Sequence, residues 1–215
     1  MPVIKGKDWA KKGARKILEE LERLSKKQDR VILGLVGGRS VVPLYKELAK
    51  LNSDAWKKVH VFMVDERRVS IKSKDSNYKL AKTILEKKIK NWHPYRDEKG
   101  IVPYNNEFRR EADAFDIVIL SSGEDGHVGA LYPDHHSIKV KEEKYFTMDD
   151  SPKPPPKRMT ASRKMLEKAK VAFLLFIGEG KKMAYERFRS RMPAANCPCK
   201  LVKNIKRHYV LTDLN

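Results

Sequence analysis

Asp125 and His127 stand two residues apart in the run Ser121-Ser122-Gly123-Glu124-Asp125-Gly126-His127. A carboxylate beside an imidazole suits general acid–base work, because imidazole is the side chain that ordinarily changes charge near neutral pH. Gly123 and Gly126 let the backbone turn sharply there or lie close to a ligand. The competing reading is a polar surface turn that carries a histidine, and the segment alone does not separate the two.

Two further clusters have the chemistry of anion sites. Gly37-Gly38-Arg39-Ser40 precedes a helical pattern with proline in its first turn, Pro43-Leu-Tyr-Lys-Glu-Leu-Ala49. Backbone N–H groups and a helix N-terminus attract anions at such a place, although a plain tight turn reads the same way. Neither a Walker loop nor a dinucleotide fingerprint is present. Asp65-Glu66-Arg67-Arg68 sets two carboxylates beside two guanidiniums. It is either a surface ion-pair cluster or a site in which an arginine grips an oxyanion with two parallel bonds.

Each cluster follows an apolar, β-branched run without alternation: Val31 to Val36, Val59 to Val64 and Asp116 to Leu120. Such runs fit strands buried on both faces, as in a parallel sheet. Val171 to Ile177, followed by Gly178-Glu-Gly-Lys181, repeats the pattern, and Tyr209 to Thr212 reads as a last strand. Between them lie helical segments: Asp8 to about Lys27 with Asp8 as N-cap, and about Tyr78 to Lys90 capped within Asp75-Ser76-Asn77. Ser162 caps a helix to about Ala169, and a last helix reaches about Arg191. The expected fold is α/β, a doubly wound, mostly parallel sheet with helices on both faces, in one domain across residues 1–215. Strand ends that carry glycine or charge then share one rim, where ligands of open α/β sheets bind. Residues 92–110 read as irregular, with a minor strand around Ile101-Val102. Asp134 to Tyr145 reads as an exposed excursion, and Ser151 to Lys157, with four prolines, as an extended connector.

The chain has 215 residues, with 47 Lys and Arg against 28 Asp and Glu, a formal net charge of +19. That excess favours anionic partners: phosphorylated metabolites, nucleic acid or acidic membrane surfaces. No zinc-finger spacing, basic zipper or aromatic RNA-binding signature accompanies it, so no nucleic acid is expected. No apolar run approaches membrane-spanning length and no apolar signal core begins the chain. Cys197 and Cys199 flank one proline, where a disulfide is strained and two thiols do not complete a zinc site. His135 and His136 are not placed near them by anything in the sequence. Free thiols in a cytoplasmic protein, with no metal or cofactor, are the expectation. A single glutamine, Gln28, amid abundant Lys, Arg and Glu suits a heat-adapted protein.

Taken together, Gly37-Gly38, Asp65-Glu66-Arg67-Arg68-Val69, Asp75-Ser76-Asn77-Tyr78, Gly123-Glu-Asp125-Gly126-His127, Leu131-Tyr-Pro133 and Arg158-Met-Thr160 resemble the 6-phosphogluconolactonase family. The related glucosamine-6-phosphate deaminases have Asp-Glu-Tyr where this chain has Asp65-Glu66-Arg67, and Asn-Glu-Pro after the histidine. Two departures stand out. The family's Gly-Gly-Ser-Thr-Pro is Gly37-Gly38-Arg39-Ser40-Val41 here, and Ser121, Ser122 and Glu124 replace a glycine-rich stretch. The resemblance implies hydrolysis of 6-phosphoglucono-δ-lactone to 6-phosphogluconate in the oxidative pentose phosphate pathway, without metal or cofactor. It implies His127 as the base on water, Asp125 as its partner and Asp65 as a further catalytic residue. The Gly37–Ser40 loop (Gly37, Gly38, Arg39, Ser40), Arg158 and Lys181 are the implied phosphate grip, Lys181 by a Gly-x-x-Lys pattern. Arg67 holds phosphate or polarises the carbonyl; the sequence leaves both open. Rival readings are an amino-sugar-phosphate isomerase/deaminase and a non-catalytic sugar-phosphate or nucleic-acid-binding module. A monomer or small homo-oligomer is expected.

Overall fold

The computed structural model describes residues 1–214. In chain order its elements are β1 (Val3–Lys5), α1 (Trp9–Ser25), β2 (Val31–Leu35), α2 (Val42–Lys50), β3 (Val59–Met63), β4 (Asp65–Arg67) and α3 (Asn77–Leu85). There follow β5 (Asn91–His93), α4 (Ile101–Glu111), β6 (Ile117–Ser121), α5 (His136–Lys139), β7 (Tyr145–Met148) and β8 (Arg158–Ala161). The last are α6 (Arg163–Glu167), β9 (Val171–Phe176), α7 (Lys182–Arg189) and β10 (Arg207–Thr212).

Seven strands form one parallel sheet in the order β1-β10-β9-β6-β2-β3-β5. The chain runs outward from β2 to β5, returns to the other side of β2 at β6, and runs outward again. Right-handed crossovers therefore put α1, α2 and α3 on one face and α4, α6 and α7 on the other. Contacts agree, since α1 packs on α2 and α2 on α3. The winding reverses between β2 and β6, which opens a crevice at their carboxyl ends. β2 and β9 are buried throughout, as their unbroken apolar runs require. A small antiparallel sheet, β4-β8-β7, stands over that rim, because β3 passes through Val64 directly into β4.

Several sequence expectations need correction. Ile101-Val102 opens α4 and is not a strand; β5 lies earlier, at Asn91–His93. Pro103 sits in the first turn of α4, where no N–H is needed, and Tyr104 and Phe108 bury one face of that helix. The excursion after Asp134 contains α5, with Ser137 and Ile138 buried. Ser151 to Lys157 is not an extended connector but the turn of the β7–β8 hairpin, closed by Ser151 N–H donating to Pro156 O at 3.1 Å. Asp8 occupies the N-cap position of α1 as expected, but its carboxylate makes no capping hydrogen bond and pairs with Lys12 at 2.9 Å instead. α3 ends at Leu85, short of Lys90. β1 was unforeseen because an exposed three-residue edge strand carries no periodic signal.

Glu66 joins β4 to α3. Its buried carboxylate accepts from the backbone N–H groups of Arg67 (2.7 Å), Asn77 (2.8 Å) and Tyr78 (2.8 Å) and from Ser76 Oγ (3.0 Å). Glutamine at this position would turn one acceptor into a donor facing donors. We expect Glu66→Gln to cost about 1–3 kcal/mol, read as a lower urea midpoint at constant m-value. An unchanged midpoint would show that those donors find another acceptor.

Candidate active site

The crevice at the switch point is a cavity of about 590 Å³. Three turns floor it, in the spatial order of their strands: after β9, after β6 and after β2. The two outer turns share one construction. Gly38 (φ 99°) and Gly178 (φ 90°) hold backbone that favours glycine, and each leads through a short 3₁₀ turn into α2 or α7. Gly178 is held by its N–H donating to the Asp213 carboxylate at 2.8 Å. Arg39 opens the first of these 3₁₀ turns and Lys181 closes the second, on either side of the central loop.

That central loop is tied on all sides. Gly123 N–H donates to His127 O (2.8 Å), Ser122 N–H to Leu175 O (2.9 Å) and Cys199 N–H to Gly126 O (2.8 Å). Ala130 N–H donates to Thr160 Oγ1 of β8 at 3.2 Å. The result fixes His127 Nδ1 2.6 Å from Asp125 Oδ1. Burial opposes charge on Asp125, but hydrogen bonds from the His127 ring and backbone, with the charges of His127 and Lys153, hold its carboxyl well below the usual range. An ionised carboxylate only accepts, so Nδ1 carries the proton and Nε2 keeps its lone pair. The ring lines the cavity and leans on Tyr132, with centroids 4.9 Å apart.

Of the ten residues expected from the sequence, His127, Asp65, Gly37, Gly38, Arg39, Ser40, Arg67, Arg158 and Lys181 all line this cavity. Asp125 stands behind His127 as its hydrogen-bond partner. Asp65 is buried and accepts from Asn77 Nδ2 at 3.2 Å. Burial pushes its carboxyl up, against the charges of Arg158, Arg67 and His127. Arg158 is also buried; desolvation lowers its pKa while Asp65 raises it. Its Nη2 donates to Pro154 O at 2.9 Å, and its Nε has no protein partner among the described residues. Arg67 Nη1 donates to Asp75 O at 2.5 Å, and its Nε is likewise without a partner. Desolvation lowers the pKa of Lys181, with Glu124 and Asp125 acting against it and Lys153 and Arg39 with it. The cavity thus has two cationic groups, Arg67 with Arg158 and Arg39 with Lys181.

Several lining residues were absent from the expected set, among them Lys153, Tyr132 and Asn77. Lys153 comes from the proline-rich hairpin turn and places Nζ 4.0 Å from Asp125 Oδ2. Its lysine in a run of prolines was the only available signal. Tyr132 accepts from Ser151 Oγ at 2.8 Å and backs the His127 ring. Asn77, read as part of a cap, instead clamps Asp65, while Ser76 Oγ caps α3 by accepting from Lys79 N–H at 3.1 Å. Gly37 makes room for that clamp: a Cβ there would lie 1.9 Å from Asn77 Oδ1. Gly123 has the same relation to the base, since its Cβ would lie 2.1 Å from His127 Nδ1 and Cε1. We expect Gly123→Ala to push the ring off Asp125 and to lower turnover by about tenfold or more, with little change in melting temperature. Retained turnover would mean that the ring's seat is not needed.

Comparison with known proteins places the architecture and the motifs in one group. Residues 5–211 match the family model described as glucosamine-6-phosphate isomerases/6-phosphogluconolactonase. A 6-phosphogluconolactonase of Borreliella burgdorferi is 34% identical over 196 residues, covering 85% of this chain and 83% of that protein. One from Thermotoga maritima is 31% identical over 175 residues, 77% of each. Crystal structures of 6-phosphogluconolactonases from Thermotoga maritima and Shewanella baltica share the fold, with TM-scores of 0.86 and 0.87 at 24% and 19% identity. They are covered over 98% and 97% of their chains and cover 99% of this one. With its sheet wound about the Gly37 and His127 turns, the chain belongs to the glucosamine-6-phosphate isomerase/6-phosphogluconolactonase family.

Proposed function

We propose that the protein hydrolyses 6-phosphoglucono-δ-lactone to 6-phosphogluconate, as the names of its relatives state for them. The observation that carries the reading is His127, with Nδ1 donating to Asp125 and Nε2 free on a ring that lines a cationic cavity. Nε2 takes a proton from water as the water oxygen bonds to the lactone carbonyl carbon. The imidazolium so formed is stabilised by Asp125. The tetrahedral oxyanion collapses, the bond from carbon to ring oxygen breaks, and the proton on Nε2 passes to that oxygen. Asp125 remains ionised throughout, and the buried Asp65 lies beside Arg67 and Arg158.

The phosphate acts as a handle at the far end of the substrate, fixing the carbonyl against the base. Lys181, Arg158 and the Gly37–Ser40 turn are its grip, leaving Arg67 to polarise the carbonyl. An arginine at position 67 and Ala130-Leu-Tyr-Pro133 after the histidine favour lactone hydrolysis over amino-sugar deamination. Two unpaired thiols, with Sγ atoms 3.4 Å apart, support a cytoplasmic setting, and the lactone named for the relatives supports a place in the oxidative pentose phosphate pathway. Among the described residues no helix is long and apolar enough to cross a membrane.

The test is consumption of freshly prepared 6-phosphogluconolactone above its spontaneous hydrolysis. Because the step needs only imidazole, water and fixed cations, EDTA is expected to leave the rate unchanged at a temperature well below unfolding. Loss of the rate with EDTA and its return with zinc would overturn this mechanism.

A further inference from the structure

β5 is an edge strand, three residues long, and among the described residues pairs only with β3. Phe62 of β3 lies opposite His93 in the register, so His60, Phe62 and His93 present their side chains to one face. Phe62 stacks flat on His93, with centroids 4.3 Å apart, and meets Phe108 of α4 edge-on. α4 brings Glu107 and Glu111, one turn apart, over the two histidines.

The hydrogen bonds set the protons. His93 Nδ1 lies 2.7 Å from Glu107 Oε1, so a proton sits on Nδ1 and the lone pair on Nε2. Nε2 faces His60 Nδ1 at 3.0 Å. Glu111 Oε2 lies 3.5 Å from that same Nδ1 and is buried without a hydrogen-bond partner among the described residues. Arg30 Nη1 is 3.1 Å from it, a charge contact lacking hydrogen-bond alignment, on a side chain 56% exposed. Three donor atoms from three elements thus lie within 4.8 Å of one another. A tetrahedral ion with bonds of about 2.0–2.1 Å needs its ligand atoms roughly 3.3 Å apart. The separations of 3.0 and 3.5 Å bracket that value.

We propose that His60 Nδ1, His93 Nε2 and Glu111 Oε2 bind one Zn²⁺ ion, with water in the fourth position, which clips edge strand β5 to β3 and α4. Two imidazoles and a carboxylate, without thiolate, suit zinc better than Mg²⁺ or Ca²⁺. Glu107 on the far nitrogen of His93 is the outer partner that metal-bound histidines have. On binding, the proton of His60 moves from Nδ1 to Nε2 and Arg30 turns out to solvent, so no net proton need leave. The residues lie outside the cavity of His127, and the ion has no part in hydrolysis.

The experiment uses the full chain, freed of metal by EDTA and then desalted, with zinc or magnesium added. Bound metal is counted after gel filtration, and the melting temperature is followed. Zinc is expected at one equivalent with a rise in melting temperature; magnesium is expected to do neither. His60→Asn and Glu111→Gln are expected to lose the ion, and Glu107→Gln to weaken it by about 10- to 100-fold. His136→Asn, which breaks the other His and Asp cluster (His135, His136 and Asp150), is expected to keep it. Cobalt substitution gives a readout that needs no variant: visible four-coordinate bands without a sulfur-to-cobalt charge-transfer band. Absence of retained zinc, equal retention by His60→Asn and Glu111→Gln, loss in His136→Asn, or a sulfur band would each overturn the assignment. Failure here leaves lactone hydrolysis standing, since that is read in the presence of EDTA.

Discussion

His127→Asn is expected to fold, to bind the lactone as before and to turn it over about 10²–10⁴ times more slowly, the range of a positioned general base. Folding is spared because the loop is held by backbone bonds at Gly123, Ser122 and Gly126, none of which uses the imidazole. Binding is spared because the cationic groups of the cavity are untouched. The wild-type rate should rise with pH as the imidazole loses its proton, since only the neutral ring accepts one from water. Asp125 adds no limb in that range, because His127 and Lys153 hold its carboxyl far below it. With spontaneous hydrolysis subtracted at each pH, the limb should vanish in the variant. A folded variant with wild-type turnover and the same limb would move the base elsewhere, first to Asp65. Burial pushes that carboxyl up and it lines the same cavity.

Lys181→Ala is the second test, and its discriminating power lies in a pair of substrates. The lost charge-assisted bond, about 1.5–3 kcal/mol, corresponds to about a ten- to hundredfold fall in kcat/KM for the phosphorylated lactone. Unphosphorylated gluconolactone should be turned over as by wild type, because the side chain meets only the handle. Equal losses on both would give Lys181 a structural role instead. Arg158→Ala should behave differently. That guanidinium also donates to Pro154 O in the hairpin turn and offsets the buried Asp65. Its removal is expected to lower the melting temperature and to affect both lactones, the phosphorylated one more.

Much of this architecture is legible in the residues. β2, β6 and β9 announce themselves because a strand buried on both faces is apolar almost throughout, the buried stretches of β3 and β10 read the same way, and each run has a polar or glycine-bearing end. The acid and imidazole of the central loop are legible for a similar reason: two residues apart, they are within reach of each other by local backbone geometry, and the long-range ties of the loop then fix the contact. Helices with a cap and a face, such as α3 behind Ser76, are equally plain. α4 was not, because Pro103 reads as a breaker until its place in the first turn is known.

Only the tertiary structure decided what depends on which strands become neighbours. Patterning reports burial and is silent about partners. Nothing local says that β6 returns beside β2, yet that reversal puts the Gly38 and Gly178 turns on either side of His127. Lys153, in a stretch read as a connector, reaches Asp125 because β7 and β8 pair across that turn. Cys197 and Cys199, expected as free thiols, are free and pack beneath Gly126, where a Cβ would lie 3.0 Å from Cys197 Sγ. His60 and His93 are lone histidines in separate strands, and they meet Glu107 and Glu111 only because α4 crosses the edge that β3 and β5 form. Residue types determined what chemistry was available; long-range packing, which no local window encodes, determined which groups meet.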